Sequence, residues 1–374
     1  MFMDALKLTA EMISFRSINP PGNEQKISLF LQKLLSEYNF KIDCYEFEKD
    51  RPSFIASMDG TDTSLDPIVF AGHIDVVPAG KTEWQSNPFK AKIMDGKIFG
   101  RGSTDMKSGI ACAISASINI LNSASPIKRG IKIVIVAGEE TGCQGSFHLK
   151  EKGVLGNAHL LVVPEPTDNL PVIAHKGSIR LIVRVTGKTA HSAMPEHGIN
   201  AIKELIPIAV DLNECKFENI GHPILGKTTS AVTTIKGGEN INSIPDLAEC
   251  TVDIRTIPTT SNEVVINKIK EILGSKGDFE IVNNFPGFAS DPDHQIISEV
   301  TETIAETTQK RISPRGASYY TDACALVPGF DYPPTIVIGP GLPELCHKTD
   351  EYCSVENIIM AKNIFEKLIK KYCL

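Results

Sequence analysis

No stretch of this 374-residue chain approaches the ~18 consecutive apolar residues that a helix needs to cross a bilayer. The most apolar segments, Ile131–Ala137 and Ile110–Leu121, are too short or are interrupted by Ser and Asn. The start, Met1–Lys7, has no basic stretch leading into an apolar run, so no signal peptide is expected. The nine cysteines are odd in number, scattered and without a CxxC pair. That pattern argues against a disulfide scaffold or a structural zinc knuckle, and for reduced thiols in a cytoplasmic protein. Basic residues are not in surplus either. A net charge of −7 and a pI near 5.8 argue against nucleic acid or an anionic membrane as the main partner. No Gly-x-Ser-x-Gly elbow follows a strand, so the serine-hydrolase pattern is missing. Gly100-Arg-Gly102 lacks the glycine spacing of a dinucleotide fingerprint.

What is present is ordinary for a globular protein, with 42% hydrophobic and 22% charged residues. The length favours two domains over one simple core. Helical periodicity marks Asp4–Ile13 and Glu24–Tyr38, separated by Pro20-Pro21-Gly22. Strands are expected at Lys41–Phe47, Phe54–Met58 and Ile68–Ala71.

The Ile68–Ala71 strand stops at Gly72, and His73 and Asp75 follow. On extended chain a spacing of two puts both side chains on one face. A metal-binding histidine needs its second ring nitrogen held, so His-x-Asp supplies a ligand and its orienter together. A surface His and a surface Asp would read the same way. Further on, the loop Gly100-Arg-Gly-Ser-Thr-Asp105 opens a helix that begins near Ser108 and runs to about Asn122. Asp105 is there a ligand or a helix N-cap. The β-branched strand Ile131–Ala137 ends in Gly138-Glu139-Glu140. His159–Val163 ends in Pro164-Glu165-Pro166, and a strand at 334–338 is followed by a loop holding His347. Apolar strands thus end repeatedly in turns that carry His or Glu, and Asp105 joins them from a helix start. In an open α/β sheet, ligands gather outside the carboxyl ends of the strands. Five converging carboxylate and imidazole groups suit two Zn2+ ions with one carboxylate bridging. Co2+ or Mn2+ would also suit such oxygen and nitrogen donors. Cys143, Cys324 and Cys346 lie near these segments, but the donor set is complete without them.

Between about Gly177 and Asn284 the pattern changes to β-α-β-β-α-β, the ferredoxin-like plan. The strand Ser178–Gly187 alternates Ile179, Leu181, Val183 and Val185 with more polar positions. A helix near Gly198–Leu212 contains Pro207, which predicts a kink or break. Strands at Thr228–Lys236 and Leu247–Ile257, a helix at Asn262–Leu273 and a strand at Phe279–Asn283 complete the insertion. Its exposed sheet edge is a candidate for homodimer pairing. The chain then returns through a helix at Gln295–Thr308, the loop Ser313–Asp322, and a last helix from Ser354 whose apolar stripe is core. The expected domains are 1–176 and 287–374, together the catalytic domain, and an inserted dimerisation or lid domain at 177–286.

Gly-His73-Ile-Asp75-Val-Val-Pro, Gly-Arg-Gly-Ser-Thr-Asp105-Met-Lys-Ser-Gly, Glu139-Glu140-Thr-Gly, Pro-Glu165-Pro-Thr and His347-Lys-Thr-Asp-Glu351 together resemble the M20 metallopeptidase/deacylase family. The resemblance covers nearly the whole chain. It implies an α/β fold: a zinc-peptidase-like catalytic domain with a central, mostly parallel sheet, plus an inserted ferredoxin-like α+β dimerisation domain. It implies a two-zinc site with His73 and Glu165 on one ion, Glu140 and His347 on the other, and Asp105 bridging. Asp75 would support His73, and Glu139 would be the general base. Thr189-Ala-His191-Ser-Ala-Met-Pro195 resembles the family segment whose histidine reaches across a homodimer to the partner's site. Asn242-Ser-Ile-Pro245 and Asp253-Ile-Arg255 also match family patterns. Asn242 and Arg255 are candidates for substrate binding, and a guanidinium pairs bidentately with a carboxylate. Local alternatives stay open: His191 capping its loop, and Arg255 paired with Asp253. The activity implied is hydrolysis of an N-acyl amino acid of the succinyl-diaminopimelate desuccinylase or acetylornithine deacetylase type. The alternatives are a carboxypeptidase or dipeptidase of the same family, and a binding protein that has kept the fold and lost the chemistry.

Overall fold

The computed structural model describes residues 2–123, 126–218 and 220–374. The chain forms two compact units. One holds the residues up to Ile173 with Ser290–Arg315 and Thr321–Leu374; the other holds Ala174–Ala289 and Gly316–Tyr320.

The first unit is built on a mixed sheet. Its centre is four parallel strands in the order Ile131–Val136, Ile68–His73, Leu160–Val163 and Thr335–Val337. The outer strands Pro52–Met58 and Lys41–Glu46 continue it antiparallel. Parallel strands are covered on both faces, so they read as unbroken apolar runs. Ile68–His73 and Leu160–Val163 are buried at every position. Helices Ala5–Ser14, Lys107–Ser123 and Val355–Cys373 pack against one another over the sheet. Lys107–Ser123 is buried along nearly its whole length, which its Gly, Ala and Ser residues permit. Gly109 shows why: a Cβ there would lie 1.9 Å from the Pro164 carbonyl oxygen. The helix that carries Asp105 at its mouth thereby sits directly on the strand end that carries Glu165.

The second unit is a four-stranded antiparallel sheet in the order Thr229–Gly237, Leu247–Arg255, Ser178–Thr186 and Asp278–Phe285. Ile179, Leu181, Val183 and Val185 point into one core with Leu205, Ile208 and Leu212 of one helix and Val265, Ile269 and Leu273 of another. Each such side chain contributes roughly 1.5–3 kcal/mol on burial. The helix Asn262–Leu273 starts at Ser261, whose hydroxyl caps the Val264 amide, and stops at Gly274 with φ +55°.

The other helix, Ala201–Glu214, runs through Pro207 without a break, which excludes one of the two expected outcomes. Pro207 lies on the exposed face, where water can satisfy the carbonyl that loses its amide partner. The core face made by Leu205, Ile208, Ala209 and Leu212 is unaffected.

Candidate metal centre

His73 is the last residue of its strand and is 1% exposed. Its Nδ1 lies 3.0 Å from the backbone oxygen of Asp75 and 3.5 Å from the Asp75 carboxylate. With that nitrogen held, Nε2 faces Asp105 Oδ1 at 3.2 Å and Glu165 Oε1 at 3.8 Å. The second imidazole, His347, has its Nε2 3.0 Å from Glu140 Oε2 and 3.5 Å from Asp105 Oδ2. Asp105 therefore offers one oxygen to each histidine. His347 sits in the left-handed backbone region at φ +63°, which non-glycine residues rarely adopt and which recurs at functional sites.

Asp75 does more than face His73. Its carboxylate accepts from Asn19 Nδ2 at 2.8 Å and from the amides of Gly138, Glu139 and Glu140 at 3.0, 3.2 and 3.1 Å. It thus shapes the turn that presents both glutamates, and Gly138 supplies the φ of +82° which that turn requires. Among the described residues Glu139 forms no ion pair with either imidazole. Its Oε1 accepts weakly from the Cys143 thiol at 3.8 Å.

The charges do not balance. Burial pushes the Glu139 and Glu165 carboxyls well above the usual range, although His73 opposes it. Burial also raises Glu140 against its hydrogen bond from His347. Burial acts on Asp105 too, but the hydrogen bonds from His347 and His73 outweigh it and hold that carboxyl below the ordinary range. Hydrogen bonds to Asp105 and Glu140 push His347 up to about 10. Too many buried carboxylates face two imidazoles, which is the setting a cation completes. The spacing fits as well. Two donors on one tetrahedral zinc lie roughly 3.3 Å apart, and the four imidazole–carboxylate distances here run from 3.0 to 3.8 Å. His73, Asp105 and Glu140 offer donor atoms all within 4.8 Å of one another. Burial keeps the Cys143 and Cys346 thiols protonated, which leaves oxygen and nitrogen as the donors.

The remaining sequence candidates lie in the second unit. His191 is exposed, and its Nδ1 accepts from the Ala193 amide at 3.1 Å, a loop-capping bond. Its strand pairs with Ser243, and Asn242 accepts from the Ser192 amide at 3.0 Å, so His191 and Asn242 are neighbours. Arg255 is tied to Asp253 through Nε at 2.7 Å and Nη2 at 3.3 Å.

Sequence reasoning assigned no role to three buried groups near the centre. Asn19 links Asp75 to Thr141. Glu351 accepts hydrogen bonds from the loop that ends in Asp105. Asp322, which burial raises to about 6, accepts from Ser146 Oγ at 2.7 Å. Each meets its partners across a long sequence separation, where spacing carries no signal.

The sequence pattern of peptidase family M20/M25/M40 matches residues 69–371. The chain belongs to that family. As an M20-family hydrolase it is a metal-dependent amidohydrolase of the peptidase and deacylase type. Among its relatives, a "Probable succinyl-diaminopimelate desuccinylase" of Staphylococcus epidermidis is 27% identical, with 99% of this chain and 98% of the relative aligned. An "Acetylornithine deacetylase" of Vibrio atlanticus is also 27% identical, over 100% of this chain and 98% of its own length. The crystal structure of an M20 family metallo-carboxypeptidase from Sulfolobus solfataricus superposes with a TM-score of 0.84 at 15% identity, covering 99% of both chains. That likeness shows a shared fold, with a central mixed sheet in the present chain.

Proposed function

We propose that this M20 hydrolase removes a succinyl or acetyl group from the nitrogen of an amino acid, in the manner of a succinyl-diaminopimelate desuccinylase or acetylornithine deacetylase. The observation that carries the site assignment is Asp105, which presents one oxygen to His73 and the other to His347 at 3.2 and 3.5 Å. In this reading His73 and Glu165 hold one cation, Glu140 and His347 hold the other, and Asp105 bridges them. Zn2+ is the proposed metal, with Co2+ or Mn2+ as substitutes. When bound, such a pair acidifies an attacking water and polarises the scissile carbonyl.

The chain's own groups do the rest. Asp75 and its backbone oxygen keep the His73 ring oriented through Nδ1. Glu139, free of both imidazoles, takes the proton from the attacking water and delivers it to the leaving amine. Its raised pKa, caused by burial first, suits a group that must carry a proton between two steps. His191 is proposed to act in the partner subunit's site of a homodimer formed through the second unit, where an exposed imidazole can donate to the developing oxyanion. Asn242 and Arg255 are proposed as substrate contacts. Arg255 would share its guanidinium between Asp253 and a substrate carboxylate.

The support for a deacylase over an exopeptidase is the full-length alignment with relatives of both deacylase names. The cytoplasmic setting rests on nine free cysteines and on a chain in which no described helix is long and apolar enough to cross a membrane. A panel of N-succinyl-diaminopimelate, N-acetylornithine, other N-acyl amino acids and dipeptides, assayed with zinc or cobalt, tests the proposal. Release of succinate or acetate is expected at a kcat/KM well above that for any dipeptide. Preference for a dipeptide would replace the deacylase reading with the exopeptidase one.

A further inference from the structure

Glu351 is 1% exposed, yet five contacts converge on its carboxylate. Oε1 accepts from the amides of Thr104, Asp105 and Gly102 at 2.7, 3.1 and 3.1 Å. Oε2 accepts from Gly102 at 3.1 Å and from Arg101 Nη1 at 2.5 Å. Arg101 is 2% exposed, and its guanidinium lies 5.1 Å from the ring of Trp84, the single tryptophan of the chain. Its Nη2 reaches the backbone oxygen of Pro78, just past the His73-x-Asp75 segment, at 3.3 Å, and that of His347 at 3.5 Å.

Burying an acid and a base costs several kcal/mol of desolvation each, so a closed pair is weak evidence for stability alone. What the pair does here is geometric. It fixes the backbone amide of Asp105 itself and ties three separated segments, those of His73, Asp105 and His347, to one point. We propose that Glu351, with Arg101, is a positioning residue that sets the Asp105 carboxylate midway between His73 and His347. The inference rests on the metal reading above. A carboxylate oxygen only a few tenths of an ångström out of place would serve one imidazole and not the other, and the paired cation sites would no longer share a ligand.

The test uses the full-length protein, stripped of metal and titrated with zinc against a chromophoric chelator. The wild type is compared with Glu351→Asp, which keeps the charge but withdraws the carboxylate from the loop, and with Arg101→Met/Glu351→Gln, which removes both charges together. Wild type is expected to bind two equivalents of zinc. Both variants are expected to fold by circular dichroism and to bind zinc about 10–100-fold more weakly, the usual effect of losing a group that orients a ligand. Activity of Glu351→Asp should recover as zinc is raised, with KM within about twofold of wild type. If the wild type takes up no zinc, the metal reading itself fails. If it binds two equivalents and the folded variants bind them equally well, the positioning role is overturned. Variants that melt lower but keep wild-type zinc affinity, or that do not fold at all, also overturn it, because the pair then serves the fold and not the centre.

Discussion

Two regions of this molecule carry dense charge, and they are built on opposite rules. On the open face of the second unit's sheet, Arg180 and Arg255 both pair with Asp253, and Arg184 pairs with Glu249 and Glu280. These side chains are partly exposed, and each charge has an opposite neighbour, so the electrostatics close locally without a cation, and a substrate carboxylate on Arg255 would have to share its guanidinium with Asp253. In the first unit Asp75, Asp105, Glu139, Glu140, Glu165 and Asp322 are buried or nearly so, with His73 and His347 as the imidazoles among them. The carboxyls there are mostly driven up by burial and by one another. A balanced surface needs nothing more. An unbalanced cavity of ligand-type groups is stable when something positive enters it. A cation is therefore to be sought where the charge account stays open.

The largest expected effect is at Glu139. Among the described residues it forms no ion pair with either imidazole, so Glu139→Ala should leave the cation sites intact and remove the proton transfer. We expect kcat to fall by about 10²–10⁴-fold, with bound zinc unchanged by atomic absorption. Loss of zinc along with turnover would make Glu139 a ligand and sink its role as the base. The next effect comes from the second unit. His191→Ala should also be nearly inactive alone if its imidazole completes the partner's site. Mixed with Glu139→Ala and allowed to exchange subunits, it should restore roughly a quarter of wild-type activity, because half of the dimers would carry one intact site. No recovery, with exchange confirmed by a tag, would return His191 to the loop-capping role that its bond to Ala193 already shows.

The central strands are visible in the sequence because parallel strands buried on both faces leave continuous apolar runs, such as Ile131–Val136. The groups around Asp105 are visible because each sits just past such a run or inside a glycine-rich loop, where a core residue has no reason to be His or Glu. Short elements escape. The strands Lys92–Met94, Lys97–Phe99 and Tyr352–Ser354 hold three residues each, too few for a period to show, and the helix Gln144–Glu151 has polar and glycine positions that read as loop. Pro207 does not break its helix, since a helix tolerates proline where its face is wet. Glu351 sits in a motif that could be quoted but not interpreted, and Asp322 only ends a loop. Their partners are backbone amides and a serine hydroxyl brought near by the fold, and no local pattern encodes that.

The second unit also holds a buried titratable group whose account is open, and it predicts the smallest effect. His175 is fully buried, its Nδ1 lies 3.0 Å from the Lys176 carbonyl, and its ring stands edge-on to Phe288 at 4.6 Å. Nε2 is buried and, among the described residues, has no hydrogen-bond partner. Burial depresses this imidazole to about 4, against an ordinary value near 6.5. The unfolded chain therefore binds a proton between about pH 6.5 and 4 that the folded chain refuses. The stability present above pH 6.5 should drain away as pH falls through that window, by up to roughly 3 kcal/mol at its lower end. Phenylalanine has a similar shape and nothing to protonate, so His175→Phe should melt within a few degrees of wild type at pH 7.5 and above it at pH 4.5. If the two Tm-versus-pH curves run parallel, the imidazole is not the group that titrates. The acid sensitivity would then belong to the cluster of carboxylates and histidines in the first unit, and added zinc should be what flattens it.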